Sequence, residues 1–177
     1  MIHRHQPSPA RQTGVVLITA MILLIAMTLF ALTAVRMISQ QERMAGYSYD
    51  RGLAFQAAEA ALRGAENALE MIKPTPATGA CGAHAGSSLT VQVCPPPAAG
   101  ESRWTDATFA GWANAAAVGT GDLSITPQYF AEYLGNTFRC DPADSASGTN
   151  CKRYRITARA GGSGRATAMV QSVYATD

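Results

Sequence analysis

Between positions 15 and 73 the chain has no proline, and between 15 and 35 it has no glycine and no charged side chain either. The first absence permits one helix of about 58 residues, free of the lost hydrogen bond and ring clash that an internal proline imposes. The second removes from its first third everything that would hold it in water. Cysteine is missing before position 81, and no C-x-x-C pair occurs anywhere. His84 is the sole histidine beyond position 5, so a zinc site is not expected. No Walker glycine–lysine motif, dinucleotide-binding glycine pattern, His-Glu-x-x-His or Gly-x-Ser-x-Gly elbow is found, which leaves the nucleotide-binding, metalloprotease and serine-hydrolase classes without support. His84 stands near Ser87 and Ser88 but has no acidic third member in its segment, so chance proximity accounts for it. Neither an enzyme nor a cofactor or metal is expected. The net charge is only +2, and Arg4 and Arg11 supply that excess ahead of the apolar run. The rest is balanced, which argues against nucleic acid as a partner by bulk charge.

What is present starts with the apolar run itself. Its 21 residues, at 1.5 Å each, span about 30 Å, the hydrocarbon thickness of a bilayer. A secretory signal would be shorter and would carry its small-residue cut site after the apolar region. Here a polar leader of 14 residues ends in glycine before the run, so cleavage between Gly14 and Val15 would leave the membrane helix on the mature chain. Orientation by positive charge is a stalemate, with Arg4 and Arg11 on one side and Arg36, Arg43 and Arg51 on the other. Cys81, Cys94, Cys140 and Cys151 break it: an even number, all downstream, reads as disulfides in an oxidising compartment. Four cysteines allow three connectivities. Pairing of neighbours, Cys81 with Cys94 and Cys140 with Cys151, is preferred because each closes a loop of about 12 to 14 residues, worth up to about 3 kcal/mol.

Beyond the span the helical pattern turns amphipathic. Phe55, Ala58, Leu62, Ala65, Leu69 and Ile72 recur at spacings of three and four and predict a packing seam. Glu59 and Arg63 stand one turn apart on another face. Pro74 and Pro76 end the helix, and Gly46 and Gly52 weaken it locally. Residues 75–88 read as loop and 89–93 as a strand. Residues 105–118 read as a short helix carrying Phe109 and Trp112, and 128–134 as a second strand. Residues 153–159 and 166–174 alternate around Gly161-Gly162-Ser163-Gly164, a terminal hairpin. Arg153, Arg155 and Arg159 share one face of that hairpin, with Arg165 across the turn; a solvated face that discourages edge pairing is favoured over a DNA or acidic-subunit site. Asp141, Asp144, Ser145, Ser147 and Asn150 lack the order of a calcium loop, so turn chemistry is expected of them. Trp104 and Trp112 are read as packing residues. The fold class is α+β: one long N-terminal helix, transmembrane and then amphipathic, on a small C-terminal antiparallel sheet.

The leader abutting the apolar run resembles a type IV prepilin junction. Glu42-Arg43-Met44-Ala45-Gly46 and Asp50-Arg51-Gly52-Leu53-Ala54-Phe55-Gln56-Ala57-Ala58-Glu59-Ala60-Ala61-Leu62-Arg63 resemble the N-terminal signature of PilX-type minor pilins, and Gln171-Ser172-Val173-Tyr174 is similar to that family's ending. The resemblance implies a leader at 1–14, a transmembrane half-helix at 15–35, an amphipathic half-helix at 36–73 and a pilin head at 74–177. It implies that prepilin peptidase cuts after Gly14, with Val15 the N-methylated first residue of the mature chain. Prepilins usually place Phe after the cut and Glu fifth in the mature chain; here those positions hold Val15 and Thr19. The implied partners are prepilin peptidase, other minor pilins, the major pilin, a large tip adhesin and the inner-membrane assembly platform. The implied location is the inner membrane, single-pass with leader cytoplasmic and head periplasmic, then the extracellular pilus. The implied role is priming and capping the filament in support of twitching motility and adhesion.

Two other readings share the helix: a type II secretion minor pseudopilin, and an envelope signalling or enzyme domain on an uncleaved anchor. The processed terminus separates the last from the other two. Intact-mass measurement of the chain from cells with prepilin peptidase should show loss of 14 residues, and Gly14→Glu should abolish that loss.

Overall fold

The computed structural model describes residues 13–176 apart from Ala77, Ser88, Pro142, Ser145 and Ser163. The expected leader therefore lies outside the described residues up to position 12. One helix, α1 (Thr13–Ile72), is followed by β1 (Gly82–Ala85), β2 (Thr90–Cys94), β3 (Ala113–Asn114), β4 (Gln128–Phe138), β5 (Cys151–Ala160) and β6 (Ala168–Thr176). The chain divides within α1 into a unit ending at Gly46 and a second unit, Tyr47–Asp177. In the first unit the helix stands with its apolar side chains exposed, and it is long and apolar enough to cross a membrane.

In the second unit α1 stops by a backbone device. Lys73 takes the left-handed conformation (φ 45°) and its N–H donates to the Leu69 carbonyl at 2.8 Å, after which Pro74 cannot continue the helix. The sheet runs β1-β2-β4-β5-β6, with β3 also on β4. It is mixed, which corrects the antiparallel expectation: β2 and β4 run parallel through Val93–Ala131 and Cys94–Glu132. A parallel pair needs a crossover of a dozen residues or more, and residues 95–127 supply it. Those same residues form no helix at 105–118. Asp106 Oδ1 accepts from both the N–H and the hydroxyl of Thr108 (2.8 and 2.7 Å), a local turn that competes with helix formation. Among the described residues of the crossover, two 3₁₀ turns (Arg103–Thr105 and Gly121–Leu123) and the two residues of β3 are regular. The segment read as loop at 75–88 contains β1, whose weak Gly-Ala-His-Ala sequence is held in register by four pairs with β2.

The terminal hairpin β5–β6 pairs over nine positions. Its turn depends on Gly161 (φ 155°), where an added Cβ would lie 2.6 Å from Thr167 Cγ2 and 3.0 Å from the Ala166 carbonyl.

One face of the sheet packs on α1, and the buried helix residues there are mostly alanine: Ala54, Ala57, Ala58, Ala61, Ala65 and Ala68, with Leu69. The bulk comes from the strands, through Val91, Val93, Tyr129, Tyr133, Tyr154 and Ile156. With small side chains on the helix, large residues on the sheet fill the layer between them. The predicted seam thus falls on the packed face in all but its first member, Phe55. Ala58, Ala65 and Leu69 are buried, Leu62 and Ile72 pack partly buried against the core, and Phe55 is 47% exposed. Polar ties complete the layer. Ser172 Oγ donates to Glu66 Oε1 (2.9 Å), Tyr174 Oη to Glu70 Oε2 (3.0 Å), and Arg165 Nη2 to Asp50 Oδ1 (2.8 Å). Tyr154 Oη donates to the Pro74 carbonyl at 2.6 Å, pinning the end of α1 to β5.

Leu69 and Phe55 should separate in stability. In a chain beginning at Tyr47, Leu69→Ala should cost about 2–5 kcal/mol of unfolding free energy. Phe55→Ala should cost less than about 1 kcal/mol. Urea unfolding of the two variants checks this, and equal losses would mean that the helix packs on a different face.

Candidate functional site

Two surfaces of the protein are built for contact. The first is the start of α1. Gly14 and Val15 lie in its first turn, and Val15 is exposed. The hydroxyl of Thr19 donates to the Val16 carbonyl at 3.0 Å, and Thr28 and Thr33 do the same to Ile25 and Phe30 at 2.8 Å. The three hydroxyls are thereby satisfied within the helix, and its surface offers no unpaired donor to a bilayer or to another apolar helix. Position 19 presents no carboxylate. Chemically this surface can insert into a membrane or pack on apolar partners; from Val15 to Val35 it carries no ionisable side chain.

The second surface is the face of the sheet turned away from α1. Glu132, on β4, is fully buried there. Arg155 Nε approaches its Oε2 at 2.7 Å and Arg103 Nη1 its Oε1 at 3.2 Å. Arg103 also donates to the Pro95 carbonyl (2.8 Å) and pairs with Glu101 (3.0 Å), so the crossover is tied to the sheet at this point. Hydrogen bonds to the charged form, first that of the Ala98 N–H, hold the exposed Glu101 carboxyl below its ordinary pKa. Beside this clamp Phe109, Trp112 and Phe130 meet edge to face at 4.7–6.2 Å. Each arginine of the predicted row lies over a ring: Arg153 on Phe138 (4.7 Å), Arg155 on Trp104 (4.6 Å), Arg159 on Trp112 (3.9 Å).

The row expected to be a solvated face is therefore mostly a covered one. Arg155 neutralises a buried carboxylate, and the two tryptophans shield the strand. Arg159 remains the most open of the three, bonded only to the amide oxygen of Gln128 (2.8 and 3.1 Å), with partial burial lowering its pKa. Sequence reasoning missed Glu132. Its signal was a lone carboxylate in an otherwise apolar and aromatic strand, Tyr-Phe-Ala-Glu-Tyr-Leu, with arginines available elsewhere.

The four cysteines form two disulfides, Cys81–Cys94 and Cys140–Cys151. The first ties β1 to the end of β2. The second closes an exposed loop in which Asp141 and Asp144 accept from the N–H groups of Ala143 (2.8 Å) and Ala146 (2.9 Å). Those carboxylates do turn work. His84 lies on β1, and among the described residues no three His, Cys, Asp or Glu side chains gather as a metal site.

Set against known families, the chain matches two models. PilX N-terminal covers residues 13–63, and type IV pilus assembly protein PilX, C-terminal, covers residues 65–176. No curated protein and no solved structure matches the chain.

The Glu132 clamp should behave as a buried ionic unit. Arg155→Ala should lower unfolding free energy by about 3–5 kcal/mol by leaving a buried charge half paired. Arg155→Met combined with Glu132→Leu should lose clearly less than the sum of the single changes. Additive losses in that double-mutant cycle would show that the two groups do not act together.

Proposed function

This chain belongs to the PilX family of type IV pilus assembly proteins and is a minor pilin of the type IV pilus; we propose that it enters the minor-pilin complex that primes the filament, and that it caps it. PilX is a structural pilin family, and the apolar N-terminal helix anchors the chain in a membrane before it joins the pilus. In the proposed sequence the leader faces the cytoplasm and the disulfide-bonded head faces the periplasm. Prepilin peptidase cuts after Gly14, and Val15 becomes the N-methylated mature terminus. The assembly platform then moves the helix from lipid into a bundle of like helices. The partners are the other minor pilins, the major pilin and a large tip adhesin, and the output is twitching motility and adhesion.

The observation that carries the tip position is Thr19. Cleavage creates an ammonium at Val15, and a buried ammonium is costly unless paired. In pilins the fifth-position Glu of an incoming subunit meets the terminus of the subunit already in place. Thr19 cannot do this, because it carries no negative charge: its hydroxyl donates to the Val16 carbonyl and has only neutral lone pairs to offer an ammonium. A subunit with nothing above it has no such terminus to meet. An unpaired carboxylate at that depth would instead have to be protonated or carry its charge into lipid.

Restoring the carboxylate tests the reading. In a deletion strain, Thr19→Glu should give no gain in surface pili over wild type, and should let the subunit appear along the shaft as well as at the tip. Thr19→Ala should match wild type. A rise in pilus number with Thr19→Glu, while immunogold labelling stays at the tip, would make the missing carboxylate a defect rather than a positional signal.

A further inference from the structure

The last strand leaves an edge that natural sheets usually protect. β6 closes one side of the sheet and no described strand pairs with its outer edge. Residues 166–176 contain no charge, no proline and no glycine, the devices that normally blunt such an edge. Met169 is 48% exposed and Val173 60% exposed along it. The opposite edge, β1, is only four residues long.

Two open grooves meet at the beginning of this strand. One, of about 750 Å³, runs beside Arg159 and Gln128 on the face away from α1. The other, of about 530 Å³, runs between β6 and the flank of α1 at Arg51, Gly52 and Phe55. They share Thr167, Ala168 and Met169, so together they form one channel that wraps the free edge. Among the described residues no acidic side chain lines either groove. The nearby Asp50 is engaged by Arg165. Arg51 has no carboxylate partner among the described residues, and Arg159 is held by a neutral amide oxygen. A guanidinium therefore lines each groove, half-exposed Phe55 and Met169 lie in the second, and the first two residues of the free strand, Ala168 and Met169, lie where the grooves meet. Those are the parts needed to add an extended chain by backbone pairing, with apolar seats for alternate side chains and cations for carboxylates.

The channel lies at the end of the head where α1 enters it, level with residues 48–55. Resting on the tip reading above, we propose that it receives an extended, acidic segment from the head of the pilus subunit added beneath this one, as an extra strand on β6. Two positive charges and none negative select for the acidic partner. The uncharged edge gives affinity, and salt should weaken the contact because both arginines are near solvent.

Photocrosslinking of the full-length chain in pilus-producing cells tests this. With p-benzoylphenylalanine in place of Met169, the adduct should be to another pilin, and the crosslinked peptide should carry Asp or Glu. Arg51→Glu should cut that adduct at least about fivefold. Arg159→Gln, which keeps a side chain over Trp112, should cut it less but measurably. The same probe in place of Leu24 reports helix neighbours independently of the groove. Pilin adducts at Leu24 with none at Met169 would overturn the groove and leave the pilus reading standing. An adduct at Met169 to a second copy of this chain, or one insensitive to Arg51→Glu, would also overturn it. No pilin adduct at either position would remove both.

Discussion

Everything in this protein answers to one constraint: about thirty ångströms of helix with no charge, no proline and no glycine must be covered by something other than water. At roughly 25 cal/mol per Å² of apolar surface, leaving 21 such residues exposed is far outside what a head of about a hundred residues could offset. The helix satisfies its own backbone and folds the hydroxyls of Thr19, Thr28 and Thr33 back onto its carbonyls. It thus has no polar reason to prefer one apolar environment over another. Lipid and the apolar faces of other helices can both cover it, which suits a chain that is anchored in a membrane and belongs to a pilus.

The head solves a different problem, which is to grip a helix whose inner face is nearly all alanine. A helix that offers little bulk contributes little hydrophobic free energy per residue, so the sheet supplies the tyrosines, valines and isoleucine that fill the layer. Burial raises the pKa of the Tyr154 hydroxyl, and to a lesser degree those of Tyr129 and Tyr133, and the Tyr154 hydroxyl donates to the Pro74 carbonyl. Pro74, Glu66, Glu70 and Asp50 then receive specific polar contacts along the whole inner half of α1. On the other face Arg155, Arg159 and Glu132 tie the long crossover onto the strands, which is how a segment with little regular structure becomes part of the fold.

The membrane helix, the candidate cut site, the terminal hairpin and the family signature were legible because each is local. An uncharged run, a glycine before it, a period of two around a glycine turn, and cysteines grouped beyond the span need no knowledge of distant residues. The α+β class followed from the same local periods. Phe55 shows the limit: weighting large residues made it the first member of the seam, whereas the neighbouring Ala54 is the one buried. Residues 105–118 show another, since an alanine-rich stretch with aromatics at helical spacing was drawn into a turn by Asp106 and spread over Phe130.

What the sequence determined by itself is that this chain carries a membrane-length helix continuous with an amphipathic half, and that strands in a disulfide-competent remainder make the whole α+β. Those properties are sums over neighbouring residues, and no tertiary contact can reverse them. The parallel step between β2 and β4, the burial of Glu132 between two arginines 29 and 23 residues away, and the bare edge of β6 flanked by Arg51 and Arg159 were decided only in three dimensions. Each depends on which distant side chain arrives at a given strand. A charge reads as solvated or buried, and a strand as edge or centre, only once its neighbours are in place.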